Sequence, residues 1–153
     1  MGDISKRDFY EDFKKINNIA QFQQWLLKVV QEAFDHIRDR NESRNAYIIM
    51  KVKEYAAGNL GTDLSLDTVA GKVHFSAAYL SKVFKDETGI NFTDFVTQQR
   101  LEKAKTLILT TDFSIEEITL KIGFNSSGYF IKKFKETYGA TPKNFKMNTR
   151  INL

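Results

Sequence analysis

One phrase is written twice in this chain, and the repetition limits the fold more than any composition does. Leu66, Val69, Val73 and Phe75 are echoed by Ile115, Ile118, Ile122 and Phe124 at an offset of 49. Tyr79, Leu80, Lys82, Phe84, Lys85 and Gly89 are echoed by Tyr129, Phe130, Lys132, Phe134, Lys135 and Gly139 at an offset of 50. One extra residue therefore enters the second copy near its middle. A period of about 50 residues fits a repeat array, but arrays need at least about three units to bury a core. Two copies predict a bipartite domain instead.

Each copy reads as helix, short turn, helix, from the 3.6-residue spacing of its apolar positions. Ser114 and Glu117 are spaced as a capping box before Ile115, Ile118 and Ile122. Gly123 suits a turn that needs positive φ. Ser126 or Asn125 caps the next helix and Gly139 ends it. Thr141-Pro142 opens a last short helix, with proline at its first position. In the first copy Ser65 and Ser76 are the caps, Gly89 ends the unit, and His74 stands where Gly123 does. A helix of about 18 residues, 92 to 110, joins the copies and spans roughly 27 Å. Its expected apolar stripe is Phe95, Val96, Leu101, Ala104, Leu107 and Ile108.

Upstream, Phe9, Phe13 and Ile16 mark a short amphipathic helix interrupted at Asn17-Asn18. Phe22, Trp25, Leu26, Val29, Val30, Ala33, Phe34 and Ile37 make a strong helical stripe. Packing against its own domain is the favoured reading of that stripe, and a dimer seam is the rival. The polar run RDRNESRN, 38–45, is the linker candidate, after which Tyr47, Ile48, Val52 and Tyr55 start another helix that AGNLG ends. No strand-like alternation bounded by hairpin turns occurs. The predicted fold is all-α: a helical connector over 1–45, a helix-turn-helix subdomain over 46–95, a linker helix over 92–110 and a second helix-turn-helix subdomain over 111–150.

Composition narrows the chemistry. The 153 residues contain no cysteine, which removes disulfides, thiolate catalysis and cysteine-ligated zinc. The two histidines, His36 and His74, stand far apart, and no glycine-rich phosphate loop occurs. The chain is therefore expected to be no enzyme, with no catalytic residues, cofactor or metal. No apolar run reaches the roughly 18 residues of a membrane span, and the N-terminus lacks the apolar core of a signal peptide. A cytoplasmic chain without membrane contact by this segment is expected. The net charge of +4 is uneven: residues 114–150 carry 7 basic and 3 acidic side chains, whereas residues 1–43 carry 7 and 8. Localised basic charge points to a polyanion partner.

A helical wheel at about 100° per residue separates two jobs within each repeat. Phe130, Phe134, Thr137 and Tyr138 share one side, and Lys132 lies opposite, between Gly128 and Lys135. Leu80, Val83, Phe84 and Glu87 share one side of the earlier helix, and Lys82 lies opposite, between Ala78 and Lys85. A solvated helix face explains one such lysine cluster. Two matching faces of small residue and lysines favour insertion into a DNA major groove, about 12 Å wide between phosphate walls.

The stretch SIEEITLKIGFNSSGYFIKKFKETYGATPKNFK resembles the C-terminal signature of the AraC/XylS family of bacterial transcription regulators, and LSLDTVAGKVHFSAAYLSKVFKDETG resembles its first half. The resemblance covers about 46–147. It implies two recognition helices in successive major-groove segments of double-stranded DNA, one turn or about 34 Å apart. By position, it implies that Ala77, Ala78, Ser81 and Lys82, and then Ser127, Gly128, Ile131 and Lys132, face bases. Lys85 and Lys135, with helix-start amides near Ser76 and Ser126, would hold phosphates. Four positions depart from the family pattern. Lys82 and Lys132 stand where arginine is frequent, so a point charge replaces a bidentate fork. Gly128 stands where serine is common, and His74 where glycine is usual. Base reading is then expected from Lys82 and Lys132 on guanine, from Ser81 and Ser127, and from thymine-methyl contact by Ala77, Ala78 and Ile131.

Residues 1–45 resemble the helical connector that precedes this domain in members with a receiver or membrane-bound sensor. A C-terminal piece of a longer regulator is expected, ahead of a self-contained one. RNA polymerase is an expected partner, as is a second copy, through the missing N-terminal region or residues 20–40. The rival class is a helical protein-interaction module, for example a partner of RNA polymerase or a sigma factor. RNA binding is a weaker rival, because A-form major grooves exclude helices.

Overall fold

The structure is a computed structural model that describes residues 8–151, with side chains to Thr149. Expectations about residues 1–7 lie outside the described residues. Among the described residues the chain is helical throughout: α1 (Phe9–Lys14), α2 (Ile19–Gly58), α3 (Leu66–Lys72), α4 (Ala77–Thr88), α5 (Phe92–Thr110), α6 (Ile115–Lys121), α7 (Ser127–Tyr138) and α8 (Pro142–Ile151). None of them is long and apolar enough to cross a membrane. The chain divides into two compact units, Met1–Tyr47 and Ile48–Leu153.

In the first unit Asp8 caps α1 by accepting from the amides of Tyr10 and Glu11. Asn18 accepts from the Gln21 amide, and the Gln21 side chain accepts from the Asn17 amide, which starts α2. Phe13, Phe22 and Trp25 meet as a ring cluster with centroids 6.0–6.4 Å apart. Much of the rest of the expected stripe is exposed: Leu26 is 44% exposed, Val30 43%, Phe34 65% and Ile37 56%, while Val29 and Ala33 are half-buried. The favoured reading of the whole stripe as own-domain packing is therefore corrected, since only its Phe22–Trp25 end is met by α1. The linker candidate at 38–45 ends just before the division between the two units, but it does not break the helix. These residues are helical within α2, because the run holds neither proline nor glycine and its polar side chains suit a helix exposed to water.

The second unit has two cores. The first joins Ile48, Ile49, Val52 and Ala56 at the end of α2 with Val69, Leu80, Val83 and Phe84, and with Phe92 and Val96 from the start of α5. The second joins Leu101, Ala104 and Ile108, further along α5, with Ile118, Ile122, Phe124, Phe130 and Phe134. Each large apolar side chain so buried contributes about 1.5–3 kcal/mol. The single apolar stripe expected for α5 is thereby revised. Phe92 and Val96 point roughly 130° around the helix from Leu101, Ala104 and Ile108, at 3.6 residues per turn. The helix is buried on one side at its start and on another at its end, so both subdomains share it as a common wall.

Candidate nucleic-acid interface

Two turns orient the two outward faces, and both are built alike. The Phe75 amide donates to the Ala70 carbonyl at 3.0 Å, and the Phe124 amide donates to the Thr119 carbonyl at 3.1 Å. This six-to-one bond is the Schellman closure, which needs a left-handed residue just past the helix. Gly123 supplies it with φ 81°, and His74 adopts the same conformation with φ 60°. The helices that follow are both 12 residues long. Ser76 and Ser126 cap them by accepting from the amides of Tyr79 and Tyr129. Gly89 and Gly139 end them at φ 76° and 77°.

The repeat thus delivers the same surface twice. Ala78, Ser81, Lys82 and Lys85 are exposed on α4, and Gly128, Lys132 and Lys135 on α7. The serine caps Ser76 and Ser126 are exposed beside them. Ala77, Ser127 and Ile131 sit lower, half-buried, and Ala77 and Ile131 pack against their cores. They form the inner flank of each face rather than its crest. On the wheel's apolar side Glu87 and Thr137 are exposed, so the packed stripe is narrower than expected. A Cβ at Gly128 would meet only the Ser126 Oγ, at 3.7 Å. Packing does not demand glycine there.

Charge separates these helices from their partners in each pair. No ion pair among the described residues holds Lys82, Lys85, Lys132 or Lys135. Lys133 differs: it pairs with Glu136 at 3.0 Å, and that hydrogen bond holds its pKa above the usual lysine range. The first turns of α3 and α6 carry Asp67, Glu116 and Glu117, whereas those of α4 and α7 carry no acid. Helix starts leave amides without intrahelical partners, and the macrodipole makes that end positive. At α4 and α7 no acid in the first turn offsets it, and the serine caps take up one amide each, so an anion is favoured at each start.

Arg100 on α5 is a feature that local sequence patterning does not mark. Its guanidinium donates from Nε to the Leu60 carbonyl at 3.0 Å and from Nη2 to the Thr62 carbonyl at 2.9 Å. Burial lowers its pKa and the Asp63 carboxylate opposes that shift. Tyr138, also unmarked as polar, donates its hydroxyl to Glu102 at 2.8 Å, tying the end of α7 to α5. Burial and then that carboxylate push its pKa above the usual phenol range.

A family model described as a helix-turn-helix domain matches residues 69–148. The regulatory protein PocR of Salmonella typhimurium is 37% identical over 102 residues, which cover 67% of this chain and 34% of PocR. The chain belongs to the AraC/XylS family of transcription regulators. The C-terminal domain of the response regulator yesN from Fusobacterium nucleatum is similar at 38% identity and a TM-score of 0.60, covering 62% of this chain and 93% of that one. The DNA-binding domain of AdpA, solved in complex with a target DNA, shares the fold at a TM-score of 0.65 and 23% identity, covering 68% and 94%. The chain spans about a third of PocR's own length, the share being 34%. AraC-type architecture accounts for the pairing of α3 with α4 and of α6 with α7 around α5.

Proposed function

We propose that this AraC-type chain binds double-stranded DNA sequence-specifically, with α4 and α7 in successive major-groove segments on one face, and thereby regulates bacterial transcription. The observation that carries the reading is the duplicated outward face. A small residue (Ala78 or Gly128) and two unpaired lysines, beside an acid-free helix start, occur on two helices at matched positions. AdpA, which shares the fold, is bound to DNA in its crystal. Lys82 and Lys132 read guanine edges, Ser81 and Ser127 hydrogen-bond base edges, and Ala77, Ala78 and Ile131 meet thymine methyls. Gly128 lets the duplex come close to the α7 backbone. Lys85, Lys135 and the amides at Ser76 and Ser126 hold phosphates. The chain acts in the cytoplasm, without catalytic residues, cofactor or metal. Its proposed protein partners are RNA polymerase and a second copy of the chain. The second copy is held through residues 20–40, where Leu26, Val30, Phe34 and Ile37 are exposed, or through a region N-terminal to this segment.

Selection of bound fragments from random duplexes tests the reading. Two half-sites with centres one turn apart, about 10–10.5 base pairs, are expected. With about six phosphates neutralised, log K falls with log salt at a slope near −5. A flat salt response with no enriched sequence would instead identify a protein-interaction module.

A further inference from the structure

The first subdomain touches the second chiefly through α5. Every extensive helix–helix contact in the second unit is either within one subdomain or made by α5 itself. One further junction bridges the two, and it is built from backbone. Residues 60–62, the loop that follows α2, are held from one side by Arg100, through its bonds to the Leu60 and Thr62 carbonyls. From the other side the end of α6 presses on the same loop. A Cβ on Gly61 would lie 2.8 Å from the Lys121 carbonyl oxygen. A Cβ on Gly123 would overlap the Leu60 carbonyl oxygen and come within 2.8 Å of the Arg100 Nη2. Arg100 also lies over the Phe124 ring, 5.9 Å from its centroid. One guanidinium and two glycines thus clasp the α2–α3 loop of the first subdomain to the α6–α7 turn of the second.

We infer that Arg100 is a spacing-determining residue: by clasping loop 60–62 against the Gly123 turn, it holds α4 and α7 in one relative placement and so sets the half-site separation that the chain accepts. The inference rests on the two-helix reading above. A planar fork that satisfies two carbonyls at once fixes direction as well as distance. A base pair inserted between half-sites moves one of them by about 3.4 Å and turns it by about 35°. A clasped chain cannot follow that change, whereas a released one can. Release also lowers the fraction of chains already in the binding arrangement, and the apparent Kd rises by that fraction.

Two measurements on the full chain test it. The first is affinity for the selected duplex and for duplexes with one base pair added or removed between half-sites. Wild type is expected to lose about tenfold or more per added or removed base pair. Arg100→Gln is expected to bind the preferred duplex more weakly but to lose only about threefold on the others. Arg100→Lys, which keeps charge without the fork, falls between them. The second needs no DNA. The chain has no cysteine, so Asp86→Cys with Glu136→Cys places spin labels at matching exposed positions of α4 and α7. The distance distribution is expected to be narrow with Arg100 and broad with Arg100→Gln. A folded Arg100→Gln chain with the wild-type spacing profile and an equally narrow distribution overturns the inference. If Arg100→Gln loses its helical circular dichroism, Arg100→Lys, which removes the two-carbonyl fork but keeps the charge, is read instead under the same criteria. Wild type with no spacing optimum would overturn the two-helix reading, while the distance distribution still judges the clasp.

Discussion

Lys132 and Lys135 lie one turn apart on α7, both exposed and unpaired, yet the proposed reading gives them different jobs. Lys132→Ala is expected to cost about 1–3 kcal/mol on the preferred site and to relax selection at one base position. Lys135→Ala is expected to weaken all sequences alike and to reduce the salt slope by about one. Competition binding over a panel of single-base variants separates the two, and an equal loss on every sequence from Lys132→Ala would remove its base-reading role. His74 permits a second prediction at this scale. A side chain held at φ 60° costs about 1–3 kcal/mol, while glycine loses about 0.4–1 kcal/mol through the freer unfolded chain. His74→Gly is therefore expected to stabilise the domain by about 0.5–1 kcal/mol in urea unfolding. A loss of stability would mean that the His74 side chain makes a contact worth more than the strain.

At the scale of the helix, α6 carries a full capping box. Ser114 accepts from the Glu117 amide at 3.2 Å, and the Glu117 carboxylate accepts from the Ser114 amide at 2.8 Å. The backbone bond, then the Ser114 side chain, holds the Glu117 pKa below the ordinary carboxylate range. A depressed folded pKa means that the contribution is complete above the unfolded value. It is lost as pH falls through the folded one. Thermal melts from pH 6 down to pH 3 should therefore converge for wild type and Glu117→Gln, with wild type the more stable only at the upper end. Ser114→Ala should cost about 1 kcal/mol at neutral pH. On α2, Phe34→Glu with Ile37→Glu should shift the chain from dimer to monomer in sedimentation velocity and leave its helical signal intact. A wild-type chain that stays monomeric at tens of micromolar would exclude that seam.

Across the whole molecule, what could be read from the letters followed from what is local. Caps, turns and the alternation of buried and exposed positions repeat within four residues, so Ser65, Ser76, Ser114, Ser126, Gly89 and Gly139 are where the pattern puts them. The same locality misled at 38–45, where a polar run looks alike in a loop and in a helix exposed to water. It misled again on α5, where one wheel cannot show that the buried side changes between Val96 and Leu101. Arg100 escaped because its partners, Leu60 and Thr62, lie 40 and 38 residues away. No periodicity records such a contact. The two Schellman turns, alike in geometry, also differ in their mutational freedom. The His74 side chain stands in the open, so that site should accept any residue that tolerates a left-handed backbone, with asparagine, aspartate and glycine foremost. Position 123 has neither the backbone latitude nor the room, since the Leu60 carbonyl and Arg100 occupy the space of its Cβ. A saturation library sorted for folded protein should return a varied set at 74 and glycine alone at 123. Of two turns descended from one design, one is open to drift and the other is locked by its neighbour.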